Sequence, residues 1–425
     1  MKRMVDVREK LPLLQTIPLS LQHLMALFGA TVLVPLLFGI DPSICLFMNG
    51  IGTIIYSIVT RGGIPAFLGS SFAFIAPTVI IINKYGFPHA QWGFILFGVF
   101  FMIVSFIIKK AGTKWLDIIF PPPVMGAVVA VIGLELAPVA CGMAGLMPGK
   151  YNPAFIETAM VTLVTGILAS VTFRGFGKII PVLIAVIVGY VYAAFHGQVD
   201  FTMVQAAPLF KIPAFTAPVF DLNAILLIVP AWFVVLAEHI GHLVVTGKVV
   251  EKDLMKDPGL HLSLLGDGIS NFLSGFTGSP PNTTYGENIG VMAITKVYSV
   301  WVIQVAAVLS IIISLCGKLT ALIRTIPTPV IGGICILLFG VIAVAGIRML
   351  IEEKVDYSKN YNMILSSVVF ITGVSGASTI LGAIELKGMA LAAVVGMSLS
   401  LLLYILQKLG LMNEKLETRN GEELS

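Results

Sequence analysis

The sequence predicts an all-α polytopic membrane protein, and three observations carry that reading. Charged residues make up only 11% of the 425 positions, while hydrophobic ones make up 57%. Apolar stretches of about 20 residues, each long enough to cross a ~30 Å hydrocarbon core, recur along the whole chain. The basic residues between them are concentrated on alternate loops. A soluble domain carries about 25% charged residues. A chain this poor in them has too little polar surface to face water on every side, so most of its exterior must face lipid. No long polar stretch remains to form a separate soluble domain.

Fourteen hydrophobic segments are predicted, near 17–40, 42–60, 66–82, 91–109, 119–140, 154–173, 178–195, 222–247, 262–277, 282–295, 299–317, 326–347, 361–381 and 386–407. Connections are short except for 196–221, where Pro208, Pro213 and Pro218 mark an irregular surface loop. Loop charges test the count. With the N-terminus inside, 20 of the 26 Lys and Arg residues face the cytoplasm, leaving Lys84, Lys150, Lys211, Lys318, Arg324 and Lys387 outside. One missed span would invert every later loop and spoil that bias, so fourteen spans with both termini cytoplasmic fit best.

Composition also removes function classes. The net charge of +4 is spread over short loops, which argues against a nucleic-acid partner. Lys2, Arg3, Arg8 and Lys10 precede the first span without a small-residue cleavage site after it, as expected of a cytoplasmic start rather than a signal peptide. Cys45, Cys141, Cys316 and Cys335 are far apart and lack metal-ligand spacing, so neither a disulfide framework nor a zinc site is expected. There is no glycine-rich nucleotide loop either.

An internal repeat orders the spans. Phe120-Pro-Pro-Pro-Val-Met-Gly126 opens the fifth segment and Ile326-Pro-Thr-Pro-Val-Ile-Gly332 opens the twelfth. Seven segments separate them, and an odd-numbered repeat gives the two halves opposite orientation. Inverted repeats of this kind belong to secondary transporters, with the substrate site where the halves meet. Gln22-His23 in the first segment and Glu238-His239 in the eighth form a weaker echo. The third segment, with Gly69-Ser-Ser-Phe-Ala-Phe-Ile-Ala-Pro77, and the tenth, with Gly278-Ser-Pro-Pro-Asn-Thr-Thr-Tyr-Gly-Glu-Asn-Ile-Gly290, are too rich in Gly, Pro and hydroxyls for unbroken helices. Irregular backbone at membrane depth survives only when buried in protein or lining a cavity. A matched pair of such segments points to a binding site.

Few ionisable groups lie within the spans, and each costs roughly 2.5–3.5 kcal/mol or more to insert there, so each needs a reason. Glu238 and His242 are four residues apart and share a helix face, where a hydrogen bond could pass one proton between them. The ordinary alternative is a set of polar interhelix contacts. His239 points to another face. A zinc reading of Glu238, His239 and His242 lacks a further clustered ligand. Glu287 in the broken tenth segment could accept N–H donors from a ligand, and free backbone amides beside it could donate to ligand carbonyls. Phe72 offers a ring for stacking in the matching third segment, although plain packing is the commoner fate of such a side chain. Glu135, Asp267 and Asn271 are read as satisfied packing groups.

These residues carry a resemblance. Glu287-Asn-Ile-Gly-Val-Met-Ala-Ile-Thr-Lys296 resembles the signature of the nucleobase–ascorbate transporters (the nucleobase:cation symporter-2 family): acidic or amide residue, Asn, any, Gly, four of any type, Thr, basic. Gln22-His23 resembles that family's second hallmark. Leu13–His23, Pro280–Asn288 and Gly373–Ala377 extend the likeness over nearly the whole chain. The resemblance implies two inverted seven-span repeats. They form a core domain (about 12–115 and 222–318) and a gate domain (about 116–221 and 319–410), followed by a cytoplasmic tail, 411–425. It implies short strands in spans three and ten, paired antiparallel at mid-membrane. It assigns substrate contact to Glu238 and Glu287 through their carboxylates and to Phe72 and Gly286 through their amides. Ala30 and Tyr285 become wall contacts, and His242 the partner of Glu238 in proton coupling. Phe339 stands where the family's uracil carriers have a wall tyrosine, which removes a hydroxyl but keeps the ring.

A Glu at the head of the signature suits a ring edge that presents N–H, whereas an amide suits a purine edge better. The resemblance, with this Glu favouring uracil, implies uracil import by proton symport in a bacterial inner membrane. No metal or organic cofactor is expected, sodium coupling stays open, and the resemblance suggests a homodimer. A xanthine or urate symporter is the alternative within the family. An anion carrier of related fold would want positive charge near the site. An intramembrane enzyme would want a nucleophile or metal.

Overall fold

The computed structural model describes residues 4–178, 180–381 and 384–417. Among the described residues there are fourteen helical spans. They are α1 Leu13–Phe38, α2 Pro42–Val59, α3 Ile75–Tyr85, α4 Gln91–Ala111, α5 Pro122–Glu135 (continued by Ala137–Met143), α6 Pro153–Thr172 and α7 Pro181–Phe195. The second half repeats the series with α8 Leu222–Val250, α9 Leu260–Thr277, α10 Gly286–Thr295, α11 Val300–Ser314, α12 Thr328–Glu352, α13 Asn360–Val374 and α14 Gly388–Lys408. Strand β1, Leu68–Ser70, and a 3-10 turn at Phe72–Phe74 lead into α3, and strand β2, Asn282–Thr284, leads into α10. These are the two broken spans. A third and fourth strand, β3 Ser378–Leu381 and β4 Ile384–Lys387, pair between α13 and α14.

Packing follows the repeat. Close associations include those of α4 with α9, α2 with α11, α5 with α12, α6 with α7 and α13 with α14. Advancing each span by seven converts the α4–α9 pair into the α2–α11 pair and the α6–α7 pair into the α13–α14 pair. In lipid no hydrophobic effect drives helices together, so they gain by close backbone approach over small residues. A Cβ on Gly98 would stand 2.4 Å from the Phe272 nitrogen across α4–α9, and one on Gly50 2.6 Å from the Ala307 carbonyl across α2–α11. On α12, a Cβ on Gly346 would meet the Ala130 nitrogen of α5 at 2.2 Å.

The ends of the spans sort into two faces. On one, residues 4–9 run beside the α10–α11 connection, with Val5 N–H to Lys296 O and Tyr298 N–H to Val5 O both 3.0 Å. Lys252 of the α8–α9 connection reaches Asp6 on the same face, and Glu417 meets Lys359 before α13. Both described termini thus share one face. On the other, the 196–221 loop is fastened across the core: Lys211 bonds Asp41, Val219 N–H bonds Pro88 O, and Thr216 N–H bonds Thr277 O. Apart from a short helix at Thr202–Ala206 and one bridge at Phe210, that loop is irregular, as its prolines predict.

Candidate functional site

The site is built on two strands too short to stand alone. β1 and β2 pair antiparallel, Leu68 with Thr284, Gly69 with Thr283 and Ser70 with Asn282. A two-stranded ribbon has two outer edges, and inside a membrane no water is available to satisfy them. Side chains do so instead. The Thr53 hydroxyl of α2 accepts the Leu68 N–H at 2.9 Å on the β1 edge. On the β2 edge the Asn271 amide of α9 accepts the Asn282 N–H at 2.7 Å and donates to the Asn282 carbonyl at 2.9 Å, acting as a third strand one residue long.

Each strand ends at a helix start. Phe72 and Gly286 are the first residues of the 3-10 turn and of α10, so their N–H groups precede any intrahelical partner. Glu287 lies in the first turn of α10, where the helix dipole favours an anion. It is exposed, and so are Gly290, Ala293 and Ile294 along the same face. That face is open toward the end of α10 that carries Lys296. Across from it stands Glu238 of α8, close enough for the two carboxylates to interact electrostatically. One Glu238 oxygen, Oε2, is buried with no hydrogen-bond partner.

Aromatic rings close the other side. The Tyr285 hydroxyl donates to the Ser70 carbonyl across the ribbon. Its ring lies over Gly69, where a Cβ would stand 2.0 Å from the ring edge. Phe72 meets Tyr285 edge-on at 6.3 Å and meets Phe339 of α12 edge-on at the same distance. Phe339 is 1% exposed and joins α12 to the broken third span. The Asn288 amide contacts His23 Nδ1 at 2.8 Å, tying the Gln22-His23 segment of α1 to α10. Ala30 lies in α1, but its side chain is outside the described residues.

The structure brings Glu238, Glu287, Gly286, Tyr285, Phe72 and Phe339 into one neighbourhood. The hydrogen bond expected between Glu238 and His242 is a correction: among the described residues it is not formed. His242 Nδ1 instead contacts the Thr284 carbonyl at 2.7 Å, and Nε2 faces Gly286. The carbonyl at the end of β2 is a buried acceptor that must be met, and His242 is within reach of it. The histidine beside a carboxylate is the neighbour, His239, whose Nδ1 lies 3.1 Å from Asp267 Oδ2. With the two histidines turned to different partners, the zinc arrangement weighed from sequence is not assembled. Glu135 accepts the Met389 N–H at 2.8 Å and caps α14. Thr53 and Ser263 carry no signal in the sequence, because a lone hydroxyl belongs to no pattern. For Asn271 the i, i+4 spacing from Asp267 was the available signal.

An inverted repeat with two half-helices meeting at a polar mid-membrane site defines a secondary membrane carrier. Comparison with known proteins makes that specific. The Permease family profile matches residues 14–382. The uracil permease of Paenibacillus larvae is 55% identical over 97% of this chain and 99% of its own length. That of Escherichia coli K12 is 57% identical over 96% of each, and that of Bacillus caldolyticus 48% over 95% of each. Among solved structures, the transmembrane domain of the cyanobacterial bicarbonate transporter BicA superposes with a TM-score of 0.64 at 13% identity, covering 94% of this chain and all of that one. The murine Solute Carrier 26 family member A9 anion transporter gives the same score and identity over 94% of this chain and 69% of its own. The likeness to these two shows the fold alone, two seven-span repeats arranged as core and gate. The chain belongs to the permease family.

Proposed function

We propose that this permease imports uracil by proton symport across a bacterial inner membrane, with both termini in the cytoplasm. The observation that carries the reading is Glu287, exposed beside a Gly286 N–H that has no partner among the described residues, and near Glu238. Uracil presents N–H and C=O side by side along its ring. A carboxylate accepts the N–H, and an unpartnered backbone N–H donates to the C=O. Phe72 and Tyr285 offer apolar ring surface to a planar base. The names of the curated relatives favour the same cargo. An anion would meet two carboxylates and no facing cation, which disfavours that alternative.

The proton is assigned to Glu238. Its unpartnered buried oxygen makes an ionised state expensive there, and protonation supplies a donor to a base carbonyl while removing repulsion with Glu287. His242, bonded to the end of β2, transmits that change to Gly286 rather than sharing the proton directly. Spans 1–4 and 8–11 (about 12–115 and 222–318) would move as a core against the gate (about 116–221 and 319–410), with 411–425 as tail. A homodimer through gate surfaces belongs to the same reading. Counterflow of labelled uracil in proteoliposomes, with and without an imposed pH gradient, tests it. Saturable exchange and gradient-driven accumulation are expected. No exchange by folded protein ends the uracil reading, and accumulation driven only by a sodium gradient ends the proton reading.

A further inference from the structure

The core domain holds a second buried polar system that substrate contact does not use. Tyr56 of α2, Ser263 and Asp267 of α9 and His239 of α8 are each fully buried, and they form a chain. Tyr56 Oη lies 2.6 Å from Ser263 Oγ, Ser263 Oγ lies 2.7 Å from His239 Nε2, and His239 Nδ1 lies 3.1 Å from Asp267 Oδ2. Asp267 Oδ1 accepts from Asn271 Nδ2 at 3.2 Å. Asn271 in turn holds both backbone groups of Asn282. The chain therefore begins on α2, passes through the residue next to Glu238, and ends on the strand that leads into Gly286 and Glu287.

Proton counting gives the chain a direction. Asn271 Oδ1 takes the Asn282 N–H, so its Nδ2 donates, to the Asp267 and Asn282 carbonyls at 2.9 Å each and at a longer 3.2 Å to Asp267 Oδ1. Asp267 therefore accepts at Oδ1, and its Oδ2 stands beside His239 Nδ1. Hydrogens on Tyr56 and Ser263 fill the two short contacts in sequence, which leaves the His239 hydrogen on Nδ1, 3.1 Å from Asp267 Oδ2 in an ion-pair contact that lacks hydrogen-bond geometry. An added proton would leave one fully buried donor without an acceptor, which is costly. The titratable groups facing His239 are Asp267 from α9 and Tyr56 from α2, with Glu238 and His242 on its own helix. From α4 the Phe101 ring meets it edge-on at 5.8 Å.

We propose that His239 is a positioning residue for transport. Through the contact of its Nδ1 edge with Asp267 it sets the place of β2, and with it Gly286 and Glu287, relative to Glu238. This rests on the uracil reading above.

The two nitrogens allow a directional test. Asn in place of His puts an amide N–H near the Nδ1 position, and Gln puts one near Nε2. In uracil counterflow, His239→Asn should keep KM within about threefold of the parent, whereas His239→Gln and His239→Ala should raise it about tenfold or more, as the loss of a buried hydrogen bond predicts. The pH profile of exchange should keep its shape in His239→Asn, and its accumulation under a pH gradient should persist. Tyr56→Phe, which removes only the terminal donor, should fall between parent and His239→Ala. Monodisperse elution and parental melting temperature identify variants that fold. If none but His239→Asn folds, its KM and pH profile decide. His239→Asn as impaired as His239→Ala, or His239→Gln equal to the parent, overturns the proposal. So does a His239→Asn protein that exchanges uracil but no longer accumulates it, because His239 would then carry the coupling proton. A parent that exchanges no uracil defeats the earlier reading instead.

Discussion

The two broken spans have the same backbone plan and opposite chemistry. Each runs strand, turn, half-helix, and each strand edge is met by a side chain from a neighbouring span. The first, Leu68–Tyr85, opens its helix with Phe72-Ala-Phe74 and presents rings and a bare N–H. The second, Asn282–Thr295, opens with Gly286-Glu287 and presents a carboxylate. The repeat thus provides two equivalent helix starts at mid-membrane, one faced with rings and the other with a carboxylate. What they teach is that topology sets where a polar group can survive in lipid, while single side chains set what it does there.

The sharpest way to break the comparison is to remove the chemistry from the second half. Glu287→Ala should abolish uracil counterflow, a loss of at least about a hundredfold from one charge-assisted hydrogen bond and its site. Phe72→Ala should weaken exchange by only about tenfold, because stacking is worth ~0.5–1.5 kcal/mol beyond area. Equal losses at the two positions would remove the distinction drawn here.

The strand edges give the next contrast. Asn271→Leu leaves a donor and an acceptor of Asn282 unpartnered and should lower stability by roughly 2–4 kcal/mol. Thr53→Val strands only the Leu68 N–H and should lose about 1–2 kcal/mol. Melting of the purified variants in one detergent ranks them, and the reverse order would show that β1 is the more dependent strand. Phe339→Tyr is a smaller change. Phe339 touches Phe72 edge-on, so a restored hydroxyl should shift uracil KM by no more than about threefold, unless it finds a partner worth a full hydrogen bond.

The smallest effect lies outside the membrane. Lys252 Nζ sits 2.8 Å from Asp6 Oδ1 and holds that carboxyl below its ordinary range, chiefly by this hydrogen bond and with help from the Arg8 N–H. A depressed carboxylate stabilises the fold above its unfolded value, and that contribution disappears as pH falls through the lowered folded value. Both side chains are largely exposed, so Lys252→Ala should cost only a few tenths of a kcal/mol near neutral pH and less at high salt. A larger cost would make residues 4–9 a structural strap for the end of α10.

Much was legible in the residues because lipid is a strict solvent. It demands about 20 apolar residues per span, forbids unpaired backbone and sorts basic loops to one side, so the number of spans and the two interruptions can be read from one chain. The seven-span offset between Phe120–Gly126 and Ile326–Gly332 carried the inversion. Glu287 was legible as a buried-span carboxylate placed where no unbroken helix could run.

Partner choice was not legible. Glu238 and His242 share a face of α8, and helical spacing alone made them a pair, yet His242 turned to the Thr284 carbonyl and His239 to Asp267. A helix period says which side chains point the same way. It says nothing of which carbonyl or carboxylate a distant segment brings alongside. The sequence by itself determined that this is a fourteen-span carrier with a carboxylate at a broken mid-membrane span. Only the tertiary structure decided which histidine meets which acceptor, because those acceptors arrive from α9 and β2, tens of residues away. A buried polar group bonds to whatever is within about 3 Å of it, and not to its neighbour in sequence.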